Sequence, residues 1–210
     1  MRCECSPVAW ILSLTLLLTG LSAPAAAQSP LEVAKAGAWG ELGSVLEAGG
    51  DVDARQGDGA TALHWAAYHD ALDSVSLLLR HGASPDLQND YGVTALALAC
   101  ENGSAAIVSR LMAAGADPNL ARETGETPLM TCARTGDARA VTALLDAGAD
   151  HAKVDAWYGQ TALMAAAGEG HTAVAAALIS QGADVHARSF RGFTPLLIAA
   201  RHDVPALAAL

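Results

Sequence analysis

The side chains able to do chemistry in this 210-residue chain are few, and their spacing does not assemble a reaction centre. His64 and His69 are five positions apart, which on a helix turns them more than about 100° from each other and defeats shared metal ligation. No Gly-x-Ser-x-Gly, phosphate-binding Gly-rich loop or Cys-x-x-Cys pair occurs. Asp and Glu are spread along turns, as solvated loop residues are, rather than paired for acid–base work. The chain therefore reads as non-catalytic, with no metal and no cofactor expected. What remains is recognition chemistry, carried by exposed aromatic and charged side chains.

The elements that would position those side chains come from a repeat. A tetrapeptide led by Thr61, Thr94, Thr127, Thr161 and Thr194 recurs at steps of 33, 33, 34 and 33 residues. Such a period marks stacked units, none of which buries its apolar face alone. A Gly two residues before each Thr suits a tight turn, and the Thr is placed as a helix N-cap. Pro128 and Pro195 follow at the first helical position, where a missing N–H matters least. Small residues such as Ala66-Ala67 and Ala166-Ala167 keep this first helix thin. A second helix carries Val75/Leu78/Leu79, Val108/Leu111/Met112 and Val141/Leu144/Leu145 at helical spacing. It ends at Gly82, Gly115, Gly148 and Gly182, each placed as a left-handed terminator.

These units resemble the ankyrin repeat, whose pattern runs Gly-x-Thr-Pro-Leu-His-x-Ala-Ala, then Val-x-x-Leu-Leu, then Gly-Ala-Asp. The resemblance implies an all-α solenoid of stacked helix-turn-helix units with β-hairpin tips. It covers essentially everything after residue 28. Only His64 keeps the motif histidine; Ala97, Met130, Met164 and Leu197 replace it. The inter-helix glycine is kept at Gly103, Gly136 and Gly170 but becomes Asp70 and Asp203, and Asp tolerates the left-handed region. His171 stands where the family commonly has a structural histidine. By register, residues 28–56 form an N-terminal cap unit lacking its Thr-Pro-Leu opening. Repeats span 57–89, 90–122, 123–156 and 157–189, and 190–210 is incomplete. The chain stops at Ala206-Leu207-Ala208-Ala209-Leu210, inside an expected second helix, which suggests truncation.

Residues 1–27 read as a secretory signal peptide: Arg2, an apolar run from Val8 to Ala23, and Ala25-Ala26-Ala27 as cleavage site before Gln28. An uncleaved anchor is the lesser reading, because the run is short for a membrane span. No other segment is a credible span, so the mature protein is expected to be exported, periplasmic or secreted, and monomeric. Cys100 and Cys132 are the cysteines left after processing, and they fall at small buried positions of adjacent first helices. They read first as free thiols filling alanine slots. A disulfide needs Cα atoms within about 7 Å, less than the roughly 8–10 Å between packed helices. An oxidising compartment keeps the bridge as the lesser alternative.

Loss of Arg2 and Glu4 leaves 11 basic against 21 acidic residues, a net charge of −10. That balance repels phosphate backbones, so nucleic acid is an unfavourable partner and basic proteins are mildly favoured. In ankyrin-like stacks, hairpin tips and first-helix ends line a concave surface that binds partners. Eight aromatic residues remain after residue 27, and six map to that surface: Tyr68, Tyr91, Trp157, Tyr158, Phe190 and Phe193. Glu101, Glu123, Glu126 and Glu169 add acid, and Arg191 joins the last tip. Trp39 and Trp65 map elsewhere, and Trp65 reads as packing. The expected function is a non-catalytic scaffold holding another protein on this mixed aromatic and acidic face. The alternatives are an accessory module of a longer enzyme or surface protein, and a secreted effector acting on a host protein.

Overall fold

A computed structural model describes residues 29–202 and contains eleven helices and no strand among them. Helix pairs are α1 (Pro30–Ala36) with α2 (Trp39–Glu47), α3 (Ala62–Tyr68) with α4 (Leu72–Arg80), and α5 (Ala95–Glu101) with α6 (Ala105–Ala113). They continue with α7 (Pro128–Thr135) and α8 (Ala138–Asp146), then α9 (Ala162–Glu169) and α10 (Thr172–Ser180), and α11 (Pro195–Arg201) opens a sixth unit. Each helix packs on its hairpin mate and on the equivalent helix of the next unit, giving two stacked columns. The fold is an all-α solenoid. The leader read at 1–27, its cleavage before Gln28, the turn residue Asp203 and the chain end at 206–210 lie outside the described residues.

The caps form where the Thr spacing places them. The hydroxyls of Thr94, Thr127, Thr161 and Thr194 accept from the N–H three residues on, at 3.1–3.3 Å. Such a cap contributes about 1 kcal/mol by satisfying an orphan donor. Contrary to the sequence reading, the first unit does not lack an opening. Ser29 caps α1 by accepting from Glu32 N–H at 3.2 Å, with Pro30 at the first helical position, so Ser-Pro-Leu stands in for Thr-Pro-Leu. Asp70 holds φ 53°, which keeps the α3–α4 turn intact without glycine.

Packing follows the small and large slots of the repeat. Ala66, Ala67, Ala99, Ala133, Ala166 and Ala167 are fully buried where first helices touch. Val75/Leu78, Val108/Leu111, Val141/Leu144 and Val174/Leu178 are fully buried along the second column. Burying a side chain of that size stabilises by roughly 1.5–3 kcal/mol. Leu63, Leu96, Leu129 and Leu163 form a buried ladder, whereas Leu196 in α11 is 54% exposed.

The cysteines depart from the free-thiol expectation. Cys100 and Cys132 form a disulfide between α5 and α7, with Cα atoms 4.5 Å apart. The sequence argument compared a Cα separation with an axis separation. Helix backbones have a radius of about 2.3 Å, so facing Cα atoms of helices roughly 9 Å apart lie only about 4–5 Å from each other. Alanine-lined contacts permit that approach.

Candidate partner-binding surface

The loops between units are turns rather than β-ladders. Each is closed by a backbone bond from the N–H of Gln56, Asn89, Arg122, Asp155 and Ser189 to the carbonyl of Ala60, Val93, Glu126, Gln160 and Phe193 respectively, and by a turn bond from the following loop glycine back to the carbonyl of the same first residue, at 2.8–3.1 Å. The arms are too short to add a second rung. Three of the four junctions between consecutive tips carry a backbone bond: Asp90 N–H donates to Asp58 O, Ala156 N–H to Thr124 O, and Phe190 N–H to Tyr158 O, at 2.8–2.9 Å. The 34-residue step falls in the tip bearing Trp157 and Tyr158. Asp155 holds that longer turn with both carboxylate oxygens, accepting from Trp157, Tyr158 and Gln160 N–H at 2.7–2.8 Å.

First-helix ends are also tied from unit to unit. Asn102 Nδ2 donates to the carbonyls of Ala67 and Tyr68 at 2.9 and 2.8 Å. Thr135 Oγ1 donates to Cys100 O at 3.0 Å, and His171 Nε2 lies 2.9 Å from Arg134 O, which requires the Nε2–H tautomer. His171 is therefore a structural tie, as the sequence reading had it. These bonds fix the spacing of Tyr68, Glu101 and Arg134 along the stack.

Side chains on this framework stand clear of the core. Trp157 is 72% exposed, Phe190 68%, Tyr91 66% and Tyr68 56%, with Tyr158 and Phe193 less so. Phe190 nevertheless covers Gly159, whose φ of 65° and missing Cβ make room for the ring. Arg191 places its guanidinium 6.0 Å from the Tyr158 ring centroid, within cation–π range. A cavity of about 320 Å³ opens beside these tips, lined by Glu126, Arg134, Asp155, Trp157 and Tyr158. A second, of about 210 Å³, brings Tyr158 together with Arg191, Phe193 and Arg201.

The middle of the face is less acidic than its glutamates alone suggest. Glu101 pairs with Arg122, and Glu126 pairs with Arg134 and, at 4.0 Å, with Arg122. Those carboxylates are neutralised in place. Glu123 is exposed and has no ion pair among the described residues.

Trp39 and Trp65 pack against the core, as expected of Trp65, and their rings also meet residues at the end of α3. The Trp65 ring meets Tyr68 edge-on with centroids 6.0 Å apart and stacks on His69 at 5.9 Å; Trp39 meets His69 at 6.0 Å. Trp65 and Tyr68 together line a third cavity, of about 210 Å³, with Asp58 and His64. The signal was present: Trp65, Tyr68 and His69 are spaced i, i+3 and i+4, which places them side by side on a helix. The Asp58 carboxyl is held below its usual range by the Ala60 backbone N–H and then the Gln56 side chain. Burial pushes His64 below the usual histidine range. Its Nδ1 accepts from Thr61 N–H at 3.2 Å, and its Nε2 donates to Val93 O at 2.9 Å.

Among the described residues, no three His, Cys, Asp or Glu side chains are arranged to hold a metal ion. No described helix is long and apolar enough to cross a membrane. No curated protein matches the chain. The family model for ankyrin repeats in three copies matches residues 40–122, 103–189 and 129–210. Ankyrin repeats are generally protein–protein interaction modules and typically non-catalytic. With that match over most of its length, on a stack of capped helix pairs, the chain belongs to the ankyrin repeat family.

Proposed function

We propose that this protein is a non-catalytic scaffold of the exported compartment that binds another protein on the concave face of tips and first helices. The observation that carries the reading is the line of exposed aromatics, Tyr68, Tyr91, Trp157, Tyr158, Phe190 and Phe193, on a framework of inter-tip backbone bonds. Large aromatics held rigidly at a surface lose little entropy on binding and are the usual anchors of an interface. The cavities beside Trp157 and Tyr158 give such a partner something to insert into. The leader-like residues 1–27 support export, and the Cys100–Cys132 bridge agrees with an oxidising compartment.

The test is capture of proteins from the matching exported fraction by the native chain and by a variant with Tyr91, Trp157, Tyr158, Phe190 and Phe193 changed to Ser. Helicity and melting are matched first. A partner held by the native chain and lost by the variant is the expected result. Equal capture by both would move the interface to another face.

A further inference from the structure

The two halves of the stack are charged very differently. Residues 29–102 carry eleven acidic against three basic side chains, a net of −8; residues 103–202 carry nine against eight, a net of −1. Of the three cavities described above, two already hold cations: Arg134 in one, Arg191 and Arg201 in another. The third lies in the acidic half and is walled by Trp65 and Tyr68, with Asp58, Gln56 and Asn89 beside them. Its one basic-type lining residue, His64, spends both ring nitrogens on Thr61 and Val93.

Resting on the scaffold reading above, we propose that this cavity receives a lysine or arginine side chain of the partner protein. Two aromatic rings set at 84° to each other line one volume of about 210 Å³, and aromatic rings are electron-rich on their faces. A cation beside such faces is attracted by the ring quadrupoles, more strongly as it is desolvated. The Trp65 ring is fixed in place by its Nε1–H bond to Gln56 Oε1 at 3.3 Å and by stacking on His69. The Tyr68 backbone is tied to the next unit, its carbonyl accepting from Asn102 Nδ2 at 2.8 Å. Asp58 supplies the counter-charge: hydrogen bonds from Ala60 and Gln56 keep its carboxylate ionised. A second carboxylate, Asp90, reaches the same tip, since a Cβ on Gly59 would lie 3.1 Å from its Oδ1. The surrounding excess of acid raises the local concentration of a basic segment before contact.

The test follows the indole signals of the isotope-labelled complete chain by two-dimensional proton–nitrogen spectroscopy at low salt. The probes are decapeptides alternating Gly with Lys, Arg or Glu. The Trp65 indole signal is expected to shift saturably with the Lys or the Arg peptide and to stay put with the Glu peptide. The tighter of the two basic peptides identifies the preferred head group. Asp58→Asn keeps an acceptor for Ala60 N–H and should weaken binding about threefold to tenfold. Tyr68→Leu should weaken it about two- to fivefold. Asp73→Asn, an equal change of charge on exposed α4, should leave it unaltered. An unmoved Trp65 signal would overturn the proposal. So would equal effects of Asp58→Asn and Asp73→Asn, or Trp157 moving in step with Trp65. Each of those results leaves the capture experiment free to succeed, so failure of the cation site and failure of the scaffold reading are distinguishable.

Discussion

Removing the Cys100–Cys132 bridge probes whether the two central repeats are covalently one unit. The register supplies the right replacement: Cys100 is equivalent to Ala67 and Ala133, and Cys132 to Ala66 and Ala99, all fully buried in the same column. Cys100→Ala/Cys132→Ala therefore removes the bridge while leaving side chains the stack already accommodates. The bridge closes a loop with a sequence separation of 32. In the chain-entropy treatment a loop of that length restricts the unfolded state by roughly 12–13 cal/mol/K, or about 3.7 kcal/mol at room temperature. Lost sulfur contacts add a smaller amount, about 1 kcal/mol for the pair. Guanidinium unfolding of both chains, followed by far-ultraviolet dichroism, should show the variant less stable by about 3–5 kcal/mol. Reductant should bring the native chain toward the variant and leave the variant unchanged. Tryptic digestion without reductant should yield residues 81–110 linked to residues 123–134. Unlinked peptides, or a variant within about 0.5 kcal/mol of the native chain, would refute the reasoning.

His64 has a folded pKa below its unfolded one, so the unfolded state binds more protons as pH falls below the usual histidine value. Its contribution is complete above that value and is lost on acidification, with a slope of at most about 1.4 kcal/mol per pH unit. Melting should fall between pH 7.5 and 5.5, and His64→Met, the residue used at Met130 and Met164, should flatten part of that fall. Gly159→Ala places a Cβ 2.5 Å from the Phe190 ring at φ 65° and should cost about 1–3 kcal/mol in denaturant unfolding, while Gly57→Ala, with open space around it, should be near neutral. Asp70→Gly relieves a left-handed residue at φ 53° and should raise the melting temperature, by about 1 kcal/mol of stability or less.

The helices, their caps and their core slots were legible because the 33-residue step repeats the same physical demands at Thr94, Thr127, Thr161 and Thr194. A cap needs an oxygen three residues before an N–H, and that relation is local. Ser29 escaped because Ser-Pro-Leu satisfies the same need without matching the Thr consensus. The disulfide escaped for a different reason: it depends on how closely α5 and α7 approach, a distance that alanine content controls and that no single helix reveals. The candidate face was half legible. Register placed Tyr68, Trp157 and Phe190 at tips and helix ends, but the pairing of Glu101 with Arg122 and of Glu126 with Arg134 depends on side chains 21 and 8 residues apart meeting in space. Register assigned Trp65 a packing slot, which it fills, but gave no sign that the same ring also lines a surface cavity with Tyr68.

The 34-residue step shows how the stack takes up an added residue at a tip. An additional residue inside α9 would rotate everything beyond it by about 100°, turning Leu163 and Ala166 out of the buried columns they occupy. The extra residue instead lies between Asp155 and Gln160, where three bonds to one carboxylate close the wider turn. Ala156 still donates to Thr124, and Thr161 still caps α9 by accepting from Met164 N–H at 3.3 Å. The insertion is thus absorbed within a few residues, and the stack on either side keeps its register. Backbone bonds hold the tips together while their side chains point away from any shared core, so Gly57-Asp58, Asp90-Tyr91, Trp157-Tyr158 and Phe190-Arg191 can differ without disturbing a helix. Core slots cannot vary in this way, because each faces an equivalent slot in the next unit. A stack built like this separates the core slots that set its stability from tips whose side chains can vary.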